Sequence, residues 1–394
     1  MSEDYYAFYN DYYDGNDRAV DYDFPRALSY GYPLLYDEYG YPLMLDEYGY
    51  PRMIDYNEFT NFPEINYQEN EIKNAIRYNK PLEPKLHVII CISNPMQYKR
   101  RIALAREFMK RFEKEETDVL LYVIELVYNI PGEPFRNFAV THPDHPRHLQ
   151  IRTANPPLWA KENLWNIAVE KLLPKNWKCV AFCDADIEFD NPSWAMFALK
   201  ILNGTKDIIQ LHSHCVDLDH KEDAMNIFSG FCYQYVSKRK YMKGGVRFWH
   251  PGFNAAMTRE TYEKMGGIYD YGILGSGDTH LFLSIIGQGT TSIHPDISAG
   301  YRKTLEDLTG KCRDLRMGYV PGVIKHYFHG TKRNRKYTER WKLLVKFAFD
   351  PLTHLTKDKQ GLFIPTDKMP QALMDAVYNY FAERNEDEYF YTDE

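Results

Sequence analysis

Two aspartates, Asp184 and Asp186, stand one residue apart directly after the apolar run Cys179-Val-Ala-Phe-Cys183. Carboxylates that close a buried strand suit a hard divalent cation such as Mg²⁺ or Mn²⁺, and a cation held by so few protein ligands suits a diphosphate. Ligands of open α/β sheets bind beyond the carboxyl ends of the strands, where these residues fall. Side chains two apart on a regular strand face opposite ways, so both carboxylates reach one site only if the strand ends near Asp184 and the chain turns. Two other Asp-x-Asp triplets lack this context. Asp21-Tyr-Asp23 lies in a low-complexity region and Asp217-Leu-Asp219 in a polar loop, and neither closes a continuous apolar run.

Further blocks carry groups able to act on a phosphate-bearing substrate. Trp159-Ala-Lys161-Glu-Asn163 opens a helical pattern, and a lysine at a helix N-terminus adds its charge to oriented backbone N–H groups; Arg152 lies just upstream. Phe248-Trp249-His250-Pro-Gly252-Phe-Asn254 is a turn-rich aromatic block, able to offer apolar faces to a sugar ring and polar groups to its hydroxyls, or simply to bury a tryptophan. Gly275-Ser-Gly277-Asp278-Thr-His280 sets a carboxylate on a glycine turn before the apolar helix Leu281 to Ile286, a place for a general base or a helix cap. Finally, His326-Tyr-Phe-His329-Gly-Thr-Lys332-Arg-Asn-Arg335 combines imidazoles with a basic cluster.

The elements needed to position these residues alternate in kind. Leu86 to Ser93 is a near-continuous apolar run of the kind found in buried parallel strands. Helical periodicity follows from Met96 to about Lys114, then a strand from Val119 to Leu126 and a loop with Pro131, Pro134, Pro143 and Pro146. Leu149 to Arg152, a helix over Pro157 to Leu173 and the Asp184 strand come next. A helix at Ser193 to Leu202, a strand at Asp207 to His212 and a helix at Arg259 to Met265 extend the pattern, which predicts an α/β fold with a mixed, mainly parallel sheet flanked by helices.

The chain's 394 residues, 44% of them hydrophobic, suffice for a substantial core. No apolar stretch is long enough to span a bilayer, which predicts no membrane span. Six cysteines without Cys-x-x-Cys spacing, several within apolar runs, fit a reducing cytoplasm. The net charge of -7 is uneven: residues 1–80 carry 16 acidic and 6 basic side chains, which leaves the remainder slightly basic. That balance lacks the long basic face a nucleic-acid partner requires. Residues 1–84 read as a Tyr/Asp/Glu-rich extension, with nine-residue repeats from Gly31, Gly40 and Gly49 (GYPLLYDEY, GYPLMLDEY, GYPRMIDYN) that would form a small meander or stay extended until a partner binds. Residues 85–365 read as the catalytic domain, and 366–394 as a C-terminal helix followed by an acidic tail.

From Leu86 to about Pro365 the order of these blocks resembles GT-A-type glycosyltransferases, and in particular poorly characterised enzymes of large DNA viruses and bacteria with similar Trp-x-Lys-Glu-Asn, Gly-x-Gly-Asp and His-Gly-x-Lys-x-x-Arg blocks. The resemblance implies a Rossmann-like nucleotide-binding half followed by an acceptor half. It implies Mn²⁺ or Mg²⁺ held by Asp186 directly, by Asp184 through water or the donor ribose, and by His329, with His326 in reserve. Donor contacts would come from Arg152, Lys161, Asn163, Asp184, Lys332 and Arg335. Trp249, His250, Gly252, Asn254, Gly277 and His280 would line the sugar and acceptor pocket, and Asp278 would be the base of an inverting transfer, although Gly277 replaces the glutamate of the usual Glu-Asp pair. The implied donor is a UDP-sugar, with GDP- and dTDP-sugars as alternates, and the acceptor a glycan or protein. In a virus the enzyme would act in the host cytoplasm or on the virion. A sugar-nucleotide pyrophosphorylase or other nucleotidyltransferase would require a glycine-rich loop after the first strand, where Asn94-Pro-Met stands instead. A non-catalytic binding protein built on the tyrosine repeats would have no use for Asp184, Asp186, Asp278 and His329.

Overall fold

The structure is a computed structural model that describes residues 66–129, 140–241, 248–336 and 339–390. The nine-residue repeats lie outside the described residues. Leu86–Ser93 (β1) is buried along nearly its whole length because helices cover both faces, which is why its sequence is apolar without alternation. The helix Lys99–Glu115 buries Ile102, Ala105, Phe108, Met109 and Phe112, a stripe at helical spacing that packs on the sheet. Val119–Tyr128 (β2), His148–Thr153 (β3) and Cys179–Cys183 (β4) add to β1 in parallel, with the helix Lys161–Leu172 between β3 and β4.

Beyond β4 the chain makes Ile187–Phe189 (β5), the helix Trp194–Ile201, Ile208–Gln210 (β6), His214–Leu218 (β7), Ala224–Gly230 (β8), Trp249–His250 (β9), Asn254–Thr258 (β10), Met317–Tyr319 (β11) and Val323–His326 (β12). Seven strands form the main sheet in the order β11-β6-β10-β4-β1-β2-β3, parallel except for β10, which runs antiparallel to both neighbours. A second sheet, β5-β12-β7-β8-β9, stands beside it. The chain crosses from one sheet to the other between β4 and β5, at Asp184 to Asp186. The expected mixed α/β fold with a mainly parallel sheet is therefore what forms.

Both ends of the described chain join this unit. The helix Tyr67–Tyr78, capped by the Asn66 side chain, buries Ile72 and Ala75 in the common core, so the compact unit starts ahead of Lys85. The helix Gln371–Glu383 buries Leu373, Val377, Tyr380 and Phe381. The residues that follow it pass into the cleft described next.

Candidate metal centre and surrounding cleft

Strand β4 stops at Cys183, and the Asp184 N–H donates to the Phe253 carbonyl at 2.8 Å, which ties the turn to the start of β10. The chain then reverses through Ala185-Asp186 into β5, while the Tyr327 N–H donates to the Asp186 carbonyl at 2.8 Å. That bond brings the end of β12 against the turn. His326 closes β12 and His329 follows one turn of chain later, so both imidazoles reach Asp186. His329 Nε2 lies 3.1 Å from Asp186 Oδ2, and His326 Nε2 lies 3.8 Å from Oδ1. One atom from each of Asp186, His326 and His329 falls within 4.8 Å of the others.

These residues fit a divalent cation. Asp186 Oδ1 is buried without a hydrogen-bond partner. Arg335 Nη2 donates to His329 Nε2 at 2.9 Å, so a guanidinium stands beside the cluster. The 3.1 Å between His329 Nε2 and Asp186 Oδ2 is about the separation of neighbouring ligands of an octahedral cation with bonds of about 2.1 Å. Burial would raise the Asp186 carboxyl, but His329 and then His326 hold it well below the usual range. Among the described residues this is the single such cluster.

Asp217, which the sequence places in a polar loop, is instead 1% exposed on β7. Pairing of β7 with β12 sets it opposite His326, whose Nδ1 lies 2.6 Å from Asp217 Oδ1. A carboxylate on Nδ1 turns Nε2 toward Asp186, the arrangement that orients metal-binding imidazoles. Lys332 lines the surrounding cleft; its ammonium pairs with Asp217 and sits 4.5 Å from the centre of the Phe228 ring, so its charge offsets a buried carboxylate. Burial would raise the Asp217 carboxyl, and Lys332 and His326 overcome it.

Lys161 opens its helix as expected and pairs with Asp184 Oδ1 at 2.9 Å, its chain lying over Trp165. Burial pushes the Asp184 carboxyl up and Lys161 opposes it. Glu162 was not foreseen. It is 4% exposed, accepts from Trp159 Nε1 at 3.0 Å, and burial pushes its carboxyl up to about 7 against the pull of Lys161. A Cβ at Gly277 would meet Glu162 Oε1 at 2.5 Å, so Glu162 fills the space of the side chain that Gly277 lacks. Asp278 lies in the first turn of the helix Gly277–Ile285, where Ser276 in the left-handed region, and not Asp278, is the N-cap. Its Oδ1 accepts from the Thr279 N–H at 2.7 Å, and Arg340 pins the preceding turn through the Leu274 carbonyl and Ser276 Oγ.

One cleft is lined by Asn94, Arg101, Trp159, Lys161, Glu162, Asp184, Asp186, Asp217, His250, Gly252, Asp278, His326, His329, Lys332, Arg335, Arg340, Arg384 and Glu386. Gly252 belongs here because a Cβ would press on the His250 ring at 2.9 Å and on Asp278 Oδ2 at 3.1 Å. The other expected pocket and donor residues lie elsewhere, for structural reasons. Trp249 packs edge-on against Phe231 and Tyr241 in the core. Asn254 Oδ1 accepts from the Leu211 N–H and faces His212. Asn163 bonds Asp270 and the Gly361 carbonyl on the far side of its helix. Arg152 is exposed at the end of β3, outside the cleft lining, and Gly277 lies under Glu162.

His280 is turned away from the cleft: fully buried, its ring nitrogens lie 3.0 Å from Ser292 Oγ and 3.2 Å from Tyr301 OH. Burial pushes the His280 and His212 imidazoles down to about 3. Below the unfolded value of about 6.5 the unfolded chain binds protons that the fold refuses. Stability from these groups is therefore complete above pH ~6.5 and falls by about 1.4 kcal/mol per pH unit per histidine as pH drops toward 3. Denaturant unfolding at pH 7 and pH 4.5 should show this loss, reduced in His280→Gln; equal pH slopes for the two proteins would contradict it.

No protein-family model matches the sequence, and no curated protein matches it. Among solved structures, it is similar to a mannosyltransferase from Pyrobaculum calidifontis in complex with GDP-mannose and Mn²⁺, with 16% identity over 71% of this chain and 69% of that one and a TM-score of 0.38. At that distance the likeness assigns no activity. Among the described residues no helix is long and apolar enough to cross a membrane.

Proposed function

We propose that the chain is a metal-dependent glycosyltransferase of the GT-A kind, which moves a sugar from a nucleotide-diphosphate donor to a hydroxyl acceptor. The observation that carries this reading is the meeting of Asp186, His326 and His329 with Asp184, Lys161 and Asp278 in one cleft beyond the carboxyl end of β4. A cation bound at the histidine–aspartate cluster supplies Lewis-acid stabilisation of the departing diphosphate. The two imidazoles favour Mn²⁺ over Mg²⁺, which prefers oxygen ligands.

The chain's own residues supply the rest. Asp186, His326 and His329 would hold the cation, Asp184 with Lys161 orients the donor, and Arg335 offers guanidinium donors to phosphate oxygens. Asp278 takes the proton from the acceptor hydroxyl as its oxygen attacks the anomeric carbon, and one such displacement inverts the centre. The Phe248 to Phe253 turn closes the sugar side. Imidazole–carboxylate sets of this kind also hold iron, but the place of this cluster beyond the carboxyl end of β4 favours the nucleotide-diphosphate reading.

A panel of UDP-, GDP- and dTDP-sugars, titrated calorimetrically with and without Mn²⁺ and followed by product analysis, tests the reading. One donor should bind with a requirement for Mn²⁺ and release its nucleoside diphosphate. A folded protein that binds none of them would sink the proposal.

A further inference from the structure

We infer that Glu386 is a positioning residue of the metal centre: its carboxylate holds the His329 ring through Nδ1 so that Nε2 faces Asp186. The inference rests on the metal-centre reading above and adds to it a group from the segment that sequence reads as an acidic tail.

Glu386 is 2% exposed, an unusual place for a carboxylate unless its charge is met. Arg101 meets it with two parallel bonds of 2.7 Å, and Arg384 Nε adds a third at 2.7 Å. Burial alone would raise the Glu386 carboxyl; Arg101, Arg384 and His329 hold it well below the usual range. Its Oε2 lies 3.6 Å from His329 Nδ1, slightly beyond hydrogen-bond length. That nitrogen is itself buried without a hydrogen-bond partner. Because Nε2 accepts from Arg335, the ring proton belongs on Nδ1, pointing at Glu386. With that proton on Nδ1, Nε2 has one lone pair, which a cation would take in place of the Arg335 contact.

The segment carrying Glu386 is fixed at several points. The Asn385 N–H donates to Tyr98 OH at 3.1 Å. Asp387 accepts from the N–H groups of Lys99 and Arg100 at the start of their helix, and Glu388 accepts from Thr331 and Asn334. Gly330, next to His329, has φ +86, and a Cβ there would meet the Asn385 and Arg384 carbonyls at 2.9 and 3.1 Å and the Glu386 Cα at 3.1 Å. Only glycine lets this segment press so closely on the backbone after His329. With Asp217 on His326 and Glu386 on His329, each imidazole of the cluster has a buried carboxylate behind it.

The test is Mn²⁺ affinity, measured by calorimetry on the full chain without donor, for wild type, Glu386→Gln, His329→Ala and the double variant. Glutamine keeps the shape and removes the charge. Loss of a residue that orients a metal ligand costs about 10–100-fold in affinity, so Glu386→Gln should weaken Mn²⁺ binding by that factor. In the His329→Ala background the same change should have less than about twofold effect, since a residue acting through His329 has nothing left to orient. Arg101→Gln, which breaks the same ion pair but leaves Glu386 behind His329, should lower the thermal midpoint with Mn²⁺ affinity largely kept. Unchanged affinity in Glu386→Gln, or an equal loss with and without His329, would overturn the role while leaving the metal centre intact. Absence of Mn²⁺ binding to wild type, or its persistence in Asp186→Ala, would overturn the centre and this role together.

Discussion

Asp186→Ala should abolish Mn²⁺ binding and lower donor turnover by roughly 10²–10³-fold or more, the scale on which loss of one preorganised electrostatic stabiliser acts. Asp186 is the hub of the cluster, since both imidazoles are disposed around its two oxygens and it is the one carboxylate among the three. Because it is buried among histidines, its removal also changes the local charge, and Asp186→Asn serves as the isosteric companion. The amide keeps the volume and one acceptor but not the charge, so it should fold normally and still fail to hold the cation. Calorimetric titration with Mn²⁺, a thermal melt of each variant and initial rates with the donor found in the panel together decide the matter. A folded variant with intact metal-dependent turnover would show that the cluster is structural.

Asp278→Asn should divide the reaction differently. Mn²⁺ and donor binding should stay close to wild type, while kcat falls by about 10²–10⁴-fold, the usual contribution of a general base. The substitution preserves local structure: Asn Oδ1 can still accept from the Thr279 N–H, and the turn remains pinned by Arg340. Rates at saturating donor and acceptor, set beside donor affinity, separate the two effects. Should kcat hold, Glu162 becomes the next carboxylate to replace, because it lines the same cleft and occupies the space beside Gly277.

What could be read from the sequence follows from how local each signal was. β1, β2 and β4 are apolar runs buried on both faces, and the turn after β4 is announced by its two aspartates. The second sheet is harder to foresee: β7, β8 and β12 are short, partly exposed and mixed in polarity. The Asp217 triplet reads as a polar loop for this reason, since the partner that meets its carboxylate, His326, lies 109 residues further along the chain. Glu386 stands among acidic neighbours that look solvated, and nothing near it in sequence points to Arg101 or His329. Trp249 shows the opposite failure, an aromatic in a suggestive block whose ring belongs to the core. Lys161 opens its helix as the sequence pattern implies, but only the fold shows that its charge is met by Asp184.

The turn between β4 and β5 places Asp186 at the seam of the two sheets, with His326 at the end of β12 and His329 just after it. A centre gathered from such distant stretches does not exist in the unfolded chain, so any cation it binds selects the folded state. At a metal concentration 100 times the dissociation constant this linkage adds about 2.7 kcal/mol, a sizeable share of a typical domain's stability. A cation bound there would then also act as a clasp across the seam, and the protein's endurance would track the supply of that metal.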